Sequence, residues 1–217
     1  MFEGFTPETV DFLWGIRMNN NREWFTAHKS DYVNTLYNPM KELGAHLYSL
    51  VEDKPGNLLK VSRIYRDARL HPSVPYKESL WICIRKDVQW WAEYPCLFFE
   101  ICPEGVSYGL LLWQPKVADM DKFRKSICAN PDAFLSLIRK TEKATKIPVS
   151  AQLYKKPKTC EDPRLTEFFR WKKGIACIKE ESFSPETFGP ELGDRALAFL
   201  EKLVPLYETL NRILSEE

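Results

Sequence analysis

The chain has 217 residues, 44% hydrophobic and 28% charged, which is enough for a sizeable core and excludes wholesale disorder. Its net charge is only +1, so nucleic-acid binding is not expected as its principal role. Six scattered cysteines make no C-x-x-C pair and the three histidines (His28, His46, His71) make no ligand pair, so no metal centre and no cofactor is expected.

Nothing approaches eighteen consecutive apolar residues, and Met1 to Phe5 lacks a basic start and an apolar run. The expectation is a soluble, cytoplasmic protein with reduced thiols and no membrane partner. No linker rich in Gly and Ser divides it, so residues 1–217 read as a single domain.

The first helix is announced by Thr6 as cap, Pro7 at the first helical position and Phe5 placed to pack on Val10; it should end near Asn19 to Asn21. Asn20 followed by Glu23 resembles a capping box for a second helix carrying Trp24, Phe25, His28 and Tyr32. Pro39 should break or restart it, before a stripe of Met40, Leu43 and Leu47. Lys54 to Asn57 reads as a turn. Leu80 to Ile84 is rich in strand formers. Leu97–Cys102 and Val106–Trp113 flank Pro103-Glu104-Gly105 as a hairpin.

Helices return after Pro115, with Asp119, Asn130 and Asp162 as expected caps and Gly174 placed to stop the third. Ile175–Lys179 alternates like a strand. The tail from Asp194 is helical in spacing, with Pro205 expected to kink or divide it. The fold class is therefore α+β, a central and largely antiparallel sheet flanked by N-terminal, middle and C-terminal helices.

Chemistry concentrates in Arg63-Ile64-Tyr65-Arg66-Asp67-Ala68-Arg69 and Pro75-Tyr76-Lys77. Arginine's planar fork grips carboxylate or phosphate through paired hydrogen bonds. Three within seven residues, beside a Tyr hydroxyl and a Lys, suit an anionic small molecule, with Asp67 orienting one guanidinium and Trp24 and Phe25 as an apolar wall. In an extended segment Arg66 shares a face with Ile64 and Ala68, is partly buried and needs an acidic partner. Two readings stay open: a ligand site built from Arg63, Arg66, Asp67, Arg69, Tyr76, Lys77 and Trp24, or Arg–Asp pairs that hold a loop against the core.

Other candidates are Trp90-Trp91 as a partner-binding surface, His28 as a titrating group, and the lysines from Lys155 to Lys158 as phosphate contacts. There is no phosphate loop, dinucleotide glycine pattern or nucleophile elbow, and glycine is scarce at nine residues. Asp67, Glu100 and His71 are the acid–base candidates, and no catalytic residue is assigned. An interaction or scaffold domain without small-molecule chemistry is the alternative.

Four stretches resemble the family catalogued as domain of unknown function 2461. They are Gly4-Phe5 with Phe12-Leu13; Asn19-Asn20 with Arg22-Glu23-Trp24-Phe25; Arg63 through Arg69 with Pro75-Tyr76-Lys77; and Lys155-Lys156-Pro157-Lys158 before Phe168 and Lys172. The resemblance implies that the arginine block matters, but no activity comes with it. Its pattern usually places an aromatic, a Ser and a Lys after the last arginine, where this chain has Leu70, His71-Pro72-Ser73-Val74.

Overall fold

The computed structural model describes residues 1–67, 69–156 and 158–215, and its centre is one antiparallel sheet in the order β1-β2-β3-β4-β6-β5. The strands are β1 (Asn57–Val61), β2 (Leu80–Lys86), β3 (Cys96–Cys102), β4 (Gly105–Leu112), β5 (Ser150–Leu153) and β6 (Trp171–Ser182). Strict alternation sends Leu97, Phe99 and Ile101 of β3 to one face, opposite Ile82 and Ile84 of β2 and Tyr108 and Leu110 of β4. These residues are completely buried, each large apolar side chain contributing about 1.5–3 kcal/mol.

Helices supply the cover for that face. α1 (Pro7–Met18), α2 (Arg22–Ala27) and α3 (Lys29–Asp31) lead through a π-helical turn at Tyr32–Tyr37 into α4 (Asn38–Tyr48), which packs on β1 and β2. The helix restarts at Pro39 as expected: a wider turn, in which the Asn38 N–H reaches Val33 O, comes just before it, and Pro39 sits in the first turn of α4, where no N–H is needed. α5 (Val117–Ala129) lies on β6, α6 (Pro131–Thr145) on α5, and α7 (Thr166–Phe169) precedes β6. α8 (Glu191–Glu201) packs on β4, where Phe199 meets Tyr108 edge-on at 5.4 Å, and α9 (Val204–Ser215) follows a break just before Pro205. No helix among the described residues is long and apolar enough to cross a membrane.

Three capping expectations change. Asn21, not Asn20, caps α2, its side chain accepting from Trp24 N–H at 2.9 Å. Asp119 sits inside α5 and accepts from Lys116 N–H at 3.1 Å, so the cap position falls at Lys116 and the helix begins at Val117. Gly174 does not stop a helix; it lies within β6 at φ +64, beside the irregular pairing with β5.

The second face of the sheet is unusual. An antiparallel sheet with one solvent-facing side normally shows polar residues there. Here the outward positions include Trp81, Phe98, Leu111 and Ile178, and the Asp87–Pro95 connection approaches them together with Trp113. That connection is pinned by Gln114 N–H donating to Ala92 O at 2.8 Å, by the Lys116–Glu93 ion pair at 2.8 Å, and by Arg85 lying 5.5 Å from the Trp91 ring centre.

Candidate functional site: three cations beside an aromatic cleft

Pairing between the first two strands continues past the sheet, but out of step. Ser62 N–H donates to Trp81 O, and Trp81 N–H turns to Ser62 Oγ at 2.9 Å. Beyond this irregularity Tyr65 pairs with Tyr76, Arg66 N–H donates to Pro75 O and Lys77 N–H donates to Ile64 O. Between the pairs Val61–Ile82 and Tyr65–Tyr76 the second strand carries two extra residues, so the segment twists and re-aims its side chains.

Lys77 thereby reaches back along the strand, its Nζ 5.6 Å from the centre of the Trp81 ring. Burial, and then the charges of Arg66 and Arg63, hold its pKa below the ordinary lysine value. Arg66 is half-buried and donates from Nε to the Tyr76 carbonyl at 2.8 Å. Among the described residues it has no acidic partner of the kind expected; the carbonyl bond and residual exposure compensate it, and its outer nitrogens keep donor capacity. Ala68, expected on the same face, lies outside the described residues. Arg63 is exposed. Among the described residues, no carboxylate is within ion-pair distance of Arg63, Arg66 or Lys77.

The remaining arginine has a different fate. Arg69 is 88% exposed and grips Asp67 through Nη2–Oδ2 at 2.6 Å and Nε–Oδ1 at 3.0 Å, while its backbone N–H also donates to Oδ1. Arg69 holds the Asp67 carboxyl below its usual range. This pair is a closed unit within its own loop, and His71 N–H donates to the Asp67 carbonyl at 2.9 Å.

Tyr76 and Trp24 lie on the helical side. The Tyr76 ring is buried and stacks on Phe25 at 4.3 Å, with Tyr65 tilted against it. Trp24 stacks on His28 at 4.0 Å and approaches α1 so closely that a Cβ on Gly15 would stand 2.4 Å from its ring. Of the expected wall, Phe25 backs the loop and Trp24 secures α2 to α1. Asn20, freed from capping, brackets Tyr76: Nδ2 donates to its carbonyl and Oδ1 accepts from its N–H, each at 3.0 Å.

Trp81 belongs at once to the cation cluster and to a cleft of about 360 Å³ on the open sheet face. Trp91 and Trp113 form its other aromatic edges, and the floor is Phe98 and Ile178 on either side of Gly109. A Cβ on Gly109 would stand 2.1 Å from the Cys177 carbonyl, so this position takes no side chain without moving β6. Trp91 is 39% and Trp113 51% exposed. Of the acid–base candidates, Asp67 and His71 share one loop, where Arg69 engages the Asp67 carboxylate, while Glu100 lines the cleft and accepts from Ser79 Oγ at 2.7 Å.

Elsewhere, Lys158 pairs with Asp121 at 2.7 Å, and Pro157 lies outside the described residues. Arg124, which no sequence motif marks, is the buried arginine of the molecule's other half. It donates to the carbonyls of Met120 and Trp171 at 3.0 and 2.7 Å and pairs with Asp121 at 2.8 Å.

Fold and site together define an α+β protein whose single antiparallel sheet is helix-covered on one face and bears on the other an aromatic cleft, with Lys77 beside its Trp81 edge. The chain belongs to the family described as Conserved hypothetical protein (DUF2461), which matches residues 8–208. A comparison with curated proteins finds no match.

Proposed function

We propose that this protein binds a small anionic ligand, carrying phosphate or carboxylate, at Arg63, Arg66 and Lys77. The observation that carries the reading is that Arg66, bonded to the Tyr76 carbonyl, and its neighbour Lys77, set over the Trp81 ring, have no carboxylate partner among the described residues, in a loop tied down by Asn20, with Arg63 near enough for its charge to act on Lys77. Holding like charges together costs free energy, which an anion between them relieves through charge-assisted hydrogen bonds. Asp67 and Arg69 keep the loop closed, and Tyr76, backed by Phe25, fixes the backbone to which Arg66 bonds. Trp24 supports the site through α2. The six free thiols suit a reducing compartment, and we place the protein in the cytoplasm.

A thermal-shift screen with inorganic phosphate, sugar phosphates and organic acids tests the reading. Stabilisation that disappears in Arg66→Ala, with the fold retained, supports it; unchanged stabilisation in that variant contradicts it.

One observation favours a second reading, in which the exposed tryptophans dock a protein partner: Trp90 is 63% exposed beside Trp91 and the cleft. It predicts a specific partner lost in Trp90→Ala and retained in Arg66→Ala.

A further inference from the structure

The register of the open face arranges three kinds of chemistry in sequence. Just beyond the β1–β2 end Lys77 Nζ stands 5.6 Å from the Trp81 ring centre, and Arg66 bonds the carbonyl of Tyr76, the residue before Lys77, with Arg63 near enough for its charge to act on Lys77. The next row across the sheet is polar beyond Trp81: Trp81 faces Glu100, Glu100 faces Ser107, and Ser107 faces Glu180. One step further along the strands, about 7 Å away, Cys83, Phe98, Gly109 and Ile178 make an apolar floor. Trp91 and Trp113 rise at its sides, with the Trp81 and Trp91 rings 6.1 Å apart and tilted by 35°.

We infer that the ligand is a nucleoside monophosphate or a compound of that build, with its phosphate at Arg63, Arg66 and Lys77, its hydroxyls at the Glu100–Ser107–Glu180 row and its flat ring in the tryptophan cleft. The inference rests on the anion-binding reading and narrows it.

Each zone excludes something. The cations demand an anion. The two carboxylates repel a second anionic group and accept hydrogen bonds, so the middle of the ligand carries neutral donors, as a ribose does. Glu100 uses one oxygen on Ser79, leaving the other for the ligand. An acyl chain would have to cross this polar row, whereas a sugar satisfies it. The aromatic walls favour a planar ring, since base–aromatic stacking is worth about 1–3 kcal/mol per base. The absent side chain at Gly109 keeps the floor flat between Phe98 and Ile178. A cleft of about 360 Å³ falls at the small end of the range for ligand sites, suiting one ring system rather than a polymer.

Calorimetric titration of the full chain with inorganic phosphate, ribose 5-phosphate, 2-naphthyl phosphate, adenosine and adenosine monophosphate is the test. Adenosine monophosphate should bind about tenfold more tightly than ribose 5-phosphate, because it adds stacking, and more tightly than 2-naphthyl phosphate, which lacks the hydroxyls. Trp113→Ala, an exposed position, should remove the advantage over ribose 5-phosphate while leaving inorganic phosphate unaffected. Equal affinity of the nucleotide and ribose 5-phosphate, or of the nucleotide and 2-naphthyl phosphate, overturns the assignment. If that equality is accompanied by weaker binding of every phosphate in Arg66→Ala, the anion site stands and only its narrowing falls. If adenosine binds as well as its monophosphate and Arg66→Ala changes neither, the anion site itself falls.

Discussion

The side-chain amide of Asn20 holds the backbone of Tyr76 from both sides, donating to its carbonyl and accepting from its N–H, each at 3.0 Å. Arg66 donates to the same carbonyl. One residue after α1 thus fixes the loop that carries the cations, although 56 positions separate it from Tyr76.

Replacing Asn20 with Ala removes both bonds and leaves the part-buried Tyr76 backbone short of partners. A loss of about 1–3 kcal/mol in urea unfolding is expected, with faster amide exchange at Tyr76 and Lys77. Unchanged exchange at those amides would show that the loop is held by something else.

Lys77 has a folded pKa below its unfolded value, through burial first and then Arg66 and Arg63. Its protonated form therefore weighs against folding at low pH, and that cost is relieved as pH rises through the depressed pKa. Anion binding runs the other way, because it needs the charged ammonium. Affinity for inorganic phosphate should begin to fall below the ordinary lysine midpoint of about 10.4. Lys77→Arg should flatten that decline, since guanidinium stays charged. Calorimetric titration across pH 7 to pH 10 reads both curves; identical slopes would remove Lys77 from the site.

Arg17 joins α1 to Glu78 at 2.7 Å and to Glu104 in the β3–β4 hairpin turn. Its guanidinium lowers the Glu104 pKa to about 2. A depressed carboxyl pKa contributes stability that is present above the unfolded value and is lost as pH falls through the folded one. Arg17→Met should lower the urea midpoint at neutral pH, and the gap from the natural chain should narrow between about pH 4.5 and about pH 2. A gap constant over that range would contradict the assignment.

Arg124 is 5% exposed and donates to backbone carbonyls in both α5 and β6. Arg124→Met fills similar space but removes the guanidinium's bonds to those carbonyls and leaves Asp121 with Lys158 as its cationic partner. Roughly 2–4 kcal/mol of destabilisation is expected in chemical denaturation, without change in phosphate affinity. A cost under about 1 kcal/mol would mean that water satisfies the carbonyls.

Local chemistry made much of the fold legible. Thr6-Pro7 and Asn130-Pro131 start α1 and α6 where their caps require, and Pro103-Glu104-Gly105 closes the β3–β4 hairpin. β1 and β5 have no such marks: they are short, only partly buried, and defined by partners distant in sequence, from Leu153–Trp171 to Asn57–Lys86. Gly174 followed a helical pattern and resembled a stop, yet the long pairing of β4 with β6 outweighed that local signal. At the site, the arginine block was visible, but its division was not. The short Asp67-to-Arg69 spacing could have suggested the closed pair. The irregularity at Ser62 that turns Lys77 toward Trp81 depends on strand register, as does the polar row of Glu100, Ser107 and Glu180.

Phosphate affinity in three single variants tests the central assignment most directly. Arg63→Ala and Arg66→Ala should each weaken inorganic phosphate by about tenfold or more, as loss of a charge-assisted hydrogen bond implies. Arg69→Ala, which breaks only the exposed pair with Asp67, should stay within about twofold. Equal losses in all three, or none in any, would mean that the cations hold no specific anion.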